Sequence, residues 1–411
     1  MSRADCRFCG APLERTFVDL GLSPLANSYV KPEDLGKGEL FLPLHVYLCE
    51  SCFLVQLPEE ERPEEIFSDY AYFSSFSDSW LAHSERYVAA VTERFGLGTG
   101  SQVVEIASND GYLLQYFVER QIPVLGIEPA ANVAAAAEAK GIPTRVRFFG
   151  TETARQLVEE GVKADLLLGN NVLAHVPNLN DFVAGLKILL AAHGVLTLEF
   201  PHLLRLMDEG QFDTIYHEHY SYFSFTTVRR IFAHHDLTLF DVEELPTHGG
   251  SLRIYGRHGQ DATKPETERV GQLLRREEAA GLGSLAAYEE FAERTRQVKR
   301  GLLRFLIEAK EAGRQIVGYG APAKGNTLLN YCGIGTDFLE YTVDRSPHKQ
   351  GCFLPGTRIP IFAPERIRKT RPDLVLILPW NLRQEIIGQM AEIRTWGGRF
   401  VVAVPEVREY R

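Results

Sequence analysis

Tyr216, His217, Glu218 and His219 stand in a row, flanked by Ile215 on one side and by Tyr220, Tyr222 and Phe223 on the other. That is more acid–base chemistry than a core strand or a surface loop needs. Histidine titrates near neutrality and suits proton transfer. The aromatic neighbours argue against a merely solvated polar loop. In an extended backbone His217 and His219 share one face and Glu218 takes the other. The same residues admit a second reading, an H-x-H metal pair with His175 as a third ligand. Four cysteines form the other constellation, Cys6-x-x-Cys9 and Cys49-x-x-Cys52. Each knuckle delivers two thiolates to one ion, so the spacing predicts a structural zinc site; four thiolates leave no open position for catalysis. Cys332 and Cys352 have no assigned role.

Short apolar runs at 103–107, 124–128, 164–169 and 195–200 alternate with helical patterns at 111–120, 131–140, 151–160 and 179–192. Alternation of this kind predicts a parallel, doubly wound sheet that binds its ligand at the carboxyl ends of its strands. Glu105 closes the first strand, and Ser108, Asn109, Asp110 and Gly111 make the turn that follows. Glu128 closes the second strand, placed to accept the hydroxyls of a ribose. Asn170 and Asn171 end a later strand over the same crevice, with His175 one loop further. The turn lacks the G-x-G-x-x-G pattern of dinucleotide sites. Acidic residues at both strand ends suit a cationic ligand without phosphate, which S-adenosylmethionine is.

A second nucleotide-like unit begins at Gly318-x-Gly320-x-x-Ala323, directly after an apolar strand. Lys324 opens the next helix, where it adds charge for a phosphate. A strand over 339–343 leads into Asp344, and further strands are predicted at 374–378 and 400–404. Residues 58–70 read as an acidic linker or helix start. The helix after it, carrying Trp80, Tyr87, Val91 and Phe95 at core spacing, is preceded by Tyr70 and Tyr72, free to face a ligand. Residues 201–223 are long for a simple connection, which itself hints at function. Residues 262–312 read as charged scaffold helices.

At 411 residues the chain has room for two to three domains. Its 45% hydrophobic and 24% charged content are those of a soluble globular protein, and its net charge of −10 argues against a nucleic-acid partner. The first ten residues have no apolar stretch of signal-peptide type, and no apolar run approaches the ~20 residues that span a bilayer. Reduced paired cysteines and the lack of targeting features point to the cytoplasm.

The motifs EIASNDGYLL, YHEH, GYGAPAKGNTLLN and VDRSPHKQGCFLPGTRIPI, with the paired knuckles, resemble in type and order those of the nucleotide-sugar C-methyltransferases, the tetronitrose C-3'-methylating type among them. The resemblance runs over nearly the whole chain. It implies a zinc-binding N-terminal domain (1–75), a central class I, Rossmann-like methyltransferase domain (76–200) and a C-terminal Rossmann-like α/β domain (201–411). It implies S-adenosylmethionine as methyl donor and a dTDP-linked 4-keto-deoxysugar as substrate; separately, the chain is expected to be a monomer. It further implies His219 as the base, supported by Tyr216 and Glu218, with His175 and Tyr70 in the same site. The loop carrying Gly320, Lys324 and Asn326, with Asp344, would lie near the nucleotide. Methylation at carbon 3 is the expected reaction. Methylation at carbon 5, methylation on a sugar oxygen and a non-catalytic zinc- and nucleotide-binding module are the alternatives.

Overall fold

The computed structural model describes residues 4–60 and 74–411; Tyr70 and Tyr72 lie outside them. Near the N-terminus β1 (Arg15–Pro24), β2 (Phe41–Leu48) and β3 (Val55–Gln56) form an antiparallel ladder. One knuckle precedes β1 and the other forms the turn between β2 and β3.

The central sheet takes its parallel strands from β4 (Val103–Ile106), β5 (Val124–Ile127), β6 (Thr144–Arg145), β7 (Ala164–Asn170) and β8 (Leu190–Pro201). The chain then sends β9 (Ser221–Tyr222) back to pair with β3, so the Tyr216–His219 stretch before it is pinned to the N-terminal sheet. It returns as the hairpin β10 (Leu237–Leu245) and β11 (Ser251–His258). The order is β10-β11-β8-β7-β4-β5-β6, with β11 antiparallel to β8. The sheet therefore continues past residue 200, the expected limit of the central domain. An antiparallel hairpin covers the edge of β8 without alternating with helices, so it leaves no such signal in the sequence. Leu167 faces one apolar core and Leu166 and Leu168 face another, as a strand buried on both sides requires.

Two charged amphipathic helices, Glu268–Ala279 and Phe291–Glu311, lead to the third sheet. It comprises β12 (Ile316–Tyr319), β13 (Thr342–Val343), β14 (Ile361–Phe362), β15 (Leu374–Ile377), β16 (Arg399–Val402) and β17 (Arg408–Tyr410). Its order is β14-β13-β12-β15-β16-β17, doubly wound except for the antiparallel last strand.

The cores cross the domain limits. Cys6, Cys49, Cys52 and Leu54 pack with Val104, Leu167 and Phe200 of the central sheet. Phe17 and Val46 of the first sheet share a core with Phe212, Ile215 and Leu302 and with Val317 and Val375 of the third. Among the described residues no helix is long and apolar enough to cross a membrane. Strand order reverses between β4 and β7 in the central sheet and between β12 and β15 in the third. Residues 215–220 touch the chain beyond both: Thr327, after β12, donates to the Ile215 carbonyl, and Tyr220 N–H donates to the carbonyl of Ala174, after β7.

Candidate active site

The turn after β4 is built to bring backbone close to a ligand. Ala107, Asn109 and Gly111 have φ of 55°, 49° and 74°, the left-handed region that glycine tolerates and other residues occupy under strain. A Cβ on Gly111 would come within 2.2 Å of Ile142 Cδ1. Glu128 accepts the backbone N–H groups of Asn109 and Ala130, each at 2.9 Å, so its carboxylate fixes the turn. Each oxygen keeps one lone pair for a ribose hydroxyl. Glu105 is buried beneath the turn. Burial first, then the charges of Glu128 and Asp110, push its pKa well above the carboxylate range, while the Tyr112 hydroxyl works against them. Ser108 Oγ, Asp110 Oδ1 and Asn171 Oδ1 are buried without a hydrogen-bond partner among the described residues. This lining of acids, amides and unpaired oxygens fits a cationic, hydroxyl-bearing molecule such as S-adenosylmethionine. Asn170 reaches the Tyr112 hydroxyl at 3.4 Å. Asn171, at φ 54°, donates its amide to His248 Nε2 at 3.0 Å.

The Tyr216–His219 stretch is not extended. After the short helical turn Phe212–Thr214, His219 N–H donates to the Tyr216 carbonyl at 2.9 Å, closing a β-turn over residues 216–219. The turn sends the two histidines apart, correcting the expectation of a shared face. His217 Nε2 lies 3.2 Å from the Pro43 carbonyl of β2. His219 turns inward, its ring centroid 4.0 Å from Tyr216 and 4.7 Å from His175. Glu218 accepts a hydrogen bond from Asn27 at 2.6 Å. With His217 held elsewhere, the arrangement does not assemble an H-x-H metal pair; the four cysteines are the metal-ligand group found among the described residues.

His219 Nδ1 lies 2.9 Å from the Thr214 carbonyl. A carbonyl only accepts, so Nδ1 carries the proton and Nε2 is the basic nitrogen. Burial, then the charge of His175, push the His219 pKa well below 6.5; the Thr214 carbonyl opposes, and His248 and Lys324 add to the depression. His175, hydrogen-bonded to the Glu218 carbonyl, is lowered by burial to about 4. Both rings are neutral at physiological pH.

Several residues around this centre carry no motif. His248 sits in the turn Thr247–Gly249 at φ 53°, lowered to about 4 by burial and then by Lys324. Thr247 donates to Glu199 at 2.7 Å, and Glu199 also takes His83 and Arg253 at 2.9 and 2.7 Å. Burial raises Glu199, but His83 and Arg253 outweigh it and hold the carboxylate at about 2. The signal for Glu199 was an acid inside an apolar strand. His248 left no such signal, although its turn is tightly fitted: a Cβ on Gly249 would stand 2.4 Å from Trp380 Cη2.

In the C-terminal unit, Gly320 (φ 91°) leaves room for Pro379, whose Cδ would be 2.5 Å from a Cβ. Asp344 accepts Ala321 N–H and Ser346 N–H at 2.7 and 2.8 Å. Asn326 donates to the Ala26 carbonyl at 2.5 Å. Of these four residues only Lys324 bears electrostatically on the histidines.

The four knuckle sulfurs lie within 4.8 Å of one another, with Cys6–Cys52 and Cys9–Cys49 separations of 3.6 and 3.5 Å. Zinc–sulfur bonds of about 2.3 Å place tetrahedral sulfurs ~3.8 Å apart, so the set fits one zinc ion.

Fold and site together define an S-adenosylmethionine-dependent methyltransferase with a four-cysteine zinc-binding domain. Family models match in chain order: a zinc binding domain over residues 6–67, a methyltransferase domain over 80–242 and a C-methyltransferase C-terminal domain over 246–405. The C-methyltransferase NovU of Streptomyces niveus is 36% identical over 407 residues, 98% of this chain and 96% of NovU. The chain belongs to this family of C-methyltransferases. Among solved structures, magnesium protoporphyrin IX methyltransferase of Synechocystis with bound SAH overlaps 43% of this chain and 82% of its own, at 16% identity and TM-score 0.35. A SAM-dependent methyltransferase of Anabaena variabilis overlaps 44% and 86%, at 18% identity and TM-score 0.36. Overlaps this loose carry no argument.

Proposed function

We propose that the enzyme methylates carbon 3 of a dTDP-linked 4-keto-deoxysugar through an enolate, with His219 as the base, in the biosynthesis of an antibiotic sugar. The observation that carries this reading is the spent Nδ1 of a buried, neutral His219, which leaves Nε2 as a proton acceptor. A carbon beside a ketone becomes a nucleophile only once its proton is removed, and a positioned base is typically worth ~10²–10⁴-fold. The Tyr216 and His175 rings stand 4.0 and 4.7 Å from the His219 ring, which suits both to orient it or to donate to a developing oxyanion. Glu218, tied to Asn27, holds the turn. Tyr70, outside the described residues, belongs to the same expected set. S-adenosylmethionine supplies an electrophilic methyl, whose bond to sulfur breaks as the carbon–carbon bond forms. Glu105, Ser108, Asn109, Gly111, Glu128, Asn170 and Asn171 would hold it at the end of the central sheet.

The test is deuterium exchange. The protein is incubated in deuterated water with a dTDP-4-keto-2,6-dideoxyhexose, with S-adenosylhomocysteine in the donor site, and the sugar is read by NMR. Exchange at carbon 3 is expected, lost in His219→Gln while calorimetric S-adenosylmethionine binding persists. Exchange at carbon 5 would move the methylated position, and an active His219→Gln would remove this base.

A further inference from the structure

The third sheet has its own switch point, where loops 320–324 and 379–383 meet. In a doubly wound sheet a dinucleotide would lie there. Asp344, at the position that would bind a ribose, accepts the Ala321 and Ser346 N–H groups, and the cover on this crevice turns it to another use. The N-terminal domain covers the outer side: Tyr29 donates to the Ala321 carbonyl at 2.6 Å, and Asn326 reaches Ala26.

Lys324 points to the other side, across the switch point. Its Nζ donates to Asn381 Oδ1 at 2.9 Å and lies 4.8 Å from the Trp380 ring centroid. The Trp380 indole N–H donates to Asp213 at 2.7 Å. One helical turn after Lys324, Thr327 donates to the Ile215 carbonyl at 2.8 Å. Asp213 and Ile215 flank Thr214, whose carbonyl sets the His219 tautomer. The ammonium and the base are thus fixed on one three-residue support.

We propose that Lys324 is a catalytic residue that contacts the substrate ketone oxygen and carries the negative charge of the enolate. The proposal rests on the enolate reading above. In that step the carbon–hydrogen bond breaks, the proton goes to His219 Nε2, its electron pair enters a carbon–carbon double bond, and the carbonyl π pair moves to oxygen. The physical argument is one of charge. A protonated His219 within electrostatic reach of the half-buried Lys324 ammonium is unfavourable unless an anion forms to offset the two charges. The enolate oxygen is that anion, and the neutral Asn381 amide orients the ammonium without cancelling its charge. Burial lowers the Lys324 pKa, with Asp213 working against it, as a poorly solvated cation requires.

The experiment repeats the exchange assay on the full-length protein with Lys324→Met and Lys324→Arg, each checked by circular dichroism and thermal melting. Lys324→Met is expected to slow exchange at saturating sugar nucleotide by ~10²-fold or more. Affinity for dTDP should change less than about threefold, and the acid limb of the exchange profile should move to higher pH, since a cation near His219 has gone. Lys324→Arg should recover part of the rate, and it decides the case if the Met variant does not fold. A large loss of dTDP affinity with unchanged saturated exchange would make Lys324 a diphosphate contact and overturn the proposal. Exchange in wild type and equal exchange in a folded variant would overturn it while leaving the enolate reading intact. Absence of exchange in wild type would overturn both.

Discussion

The histidines of this site are set by what surrounds them, and their titration reaches the stability of the fold. His175 and His248 each fall from 6.5 to about 4, with burial the largest cause. Between those values the unfolded chain binds more protons than the folded one, so stability rises with pH through the window and is lost as pH falls through it. His219, also lowered, acts in the same direction. Asp213 has the opposite sign: burial raises it from 3.8 to about 6, so the folded state holds the extra proton there. Glu105 and Glu128, raised by burial, share the sign of Asp213. The lowered His175, His217, His219, His235 and His248 outnumber these three acids and leave a net loss on acidification, at ~1.4 kcal/mol per pH unit for each unmatched proton. The urea midpoint is expected to fall between about pH 7 and about pH 5, and His175→Asn with His248→Asn should flatten that slope. A wild-type midpoint that stays level across this range would show that these rings titrate as in the unfolded chain. What sequence could not give at this scale is facing. Nothing in a run of Tyr, His, Glu and His marks a turn, because Gly, Pro and Asn are missing from it. The turn over 216–219 is imposed by its anchors on Thr214, Pro43 and Asn27, which lie far apart in the chain or carry no motif.

At the scale of elements much more was legible. β4, β5 and β7 begin where their apolar runs begin, because a parallel strand buried on both faces is written as a continuous apolar segment. Other bounds moved: β8 starts at Leu190, inside the helix expected over 179–192, the strand expected over 339–343 keeps only Thr342–Val343, and the helix after β4, expected from residue 111, forms only over Gln115–Val118. Residues 107–114 are spent on the turn instead, and Gly111 shows why. Its φ of 74° and the 2.2 Å approach of Ile142 to a notional Cβ leave no room for a side chain. Gly111→Ala should cost about 1–3 kcal/mol through overpacking and left-handed strain, and it should weaken S-adenosylmethionine binding because the turn must shift. Gly98→Ala is the control, since nothing lies within 4 Å of its Cβ position. Urea titration and calorimetry of the two variants separate the effects; equal donor affinity in both would remove this turn from the donor site. The hairpin β10–β11 and the His248 turn were not legible, one because it breaks the strand–helix rhythm, the other because Thr-His-Gly-Gly reads as any loop.

Across the whole molecule the zinc-binding domain braces the 216–219 turn and the loop that carries His175. Arg7, inside the first knuckle, donates to the Pro177 carbonyl at 2.8 Å, two residues beyond His175, and its guanidinium stands 5.4 Å from the Tyr220 ring centroid. Asn180 donates to the Phe8 carbonyl at 2.9 Å, and Asn27 holds Glu218. The knuckle cysteines share an apolar core with β4, β7 and β8. A four-thiolate ion has no open position for a reactant, so zinc acts here through folding, and its binding free energy is folding free energy. Removing it with a strong chelator is expected to lower the melting temperature and to abolish turnover. S-adenosylmethionine binding should weaken less, because its residues sit on the central strands and not on the knuckles. Zinc added back should restore both properties. Magnesium should restore neither, since it is a hard ion that takes oxygen ligands. A chelated protein with metal content near zero and full turnover would show that the apolar contacts alone hold the histidine loop and the 216–219 turn in place. The brace would then be the shared core and not the ion.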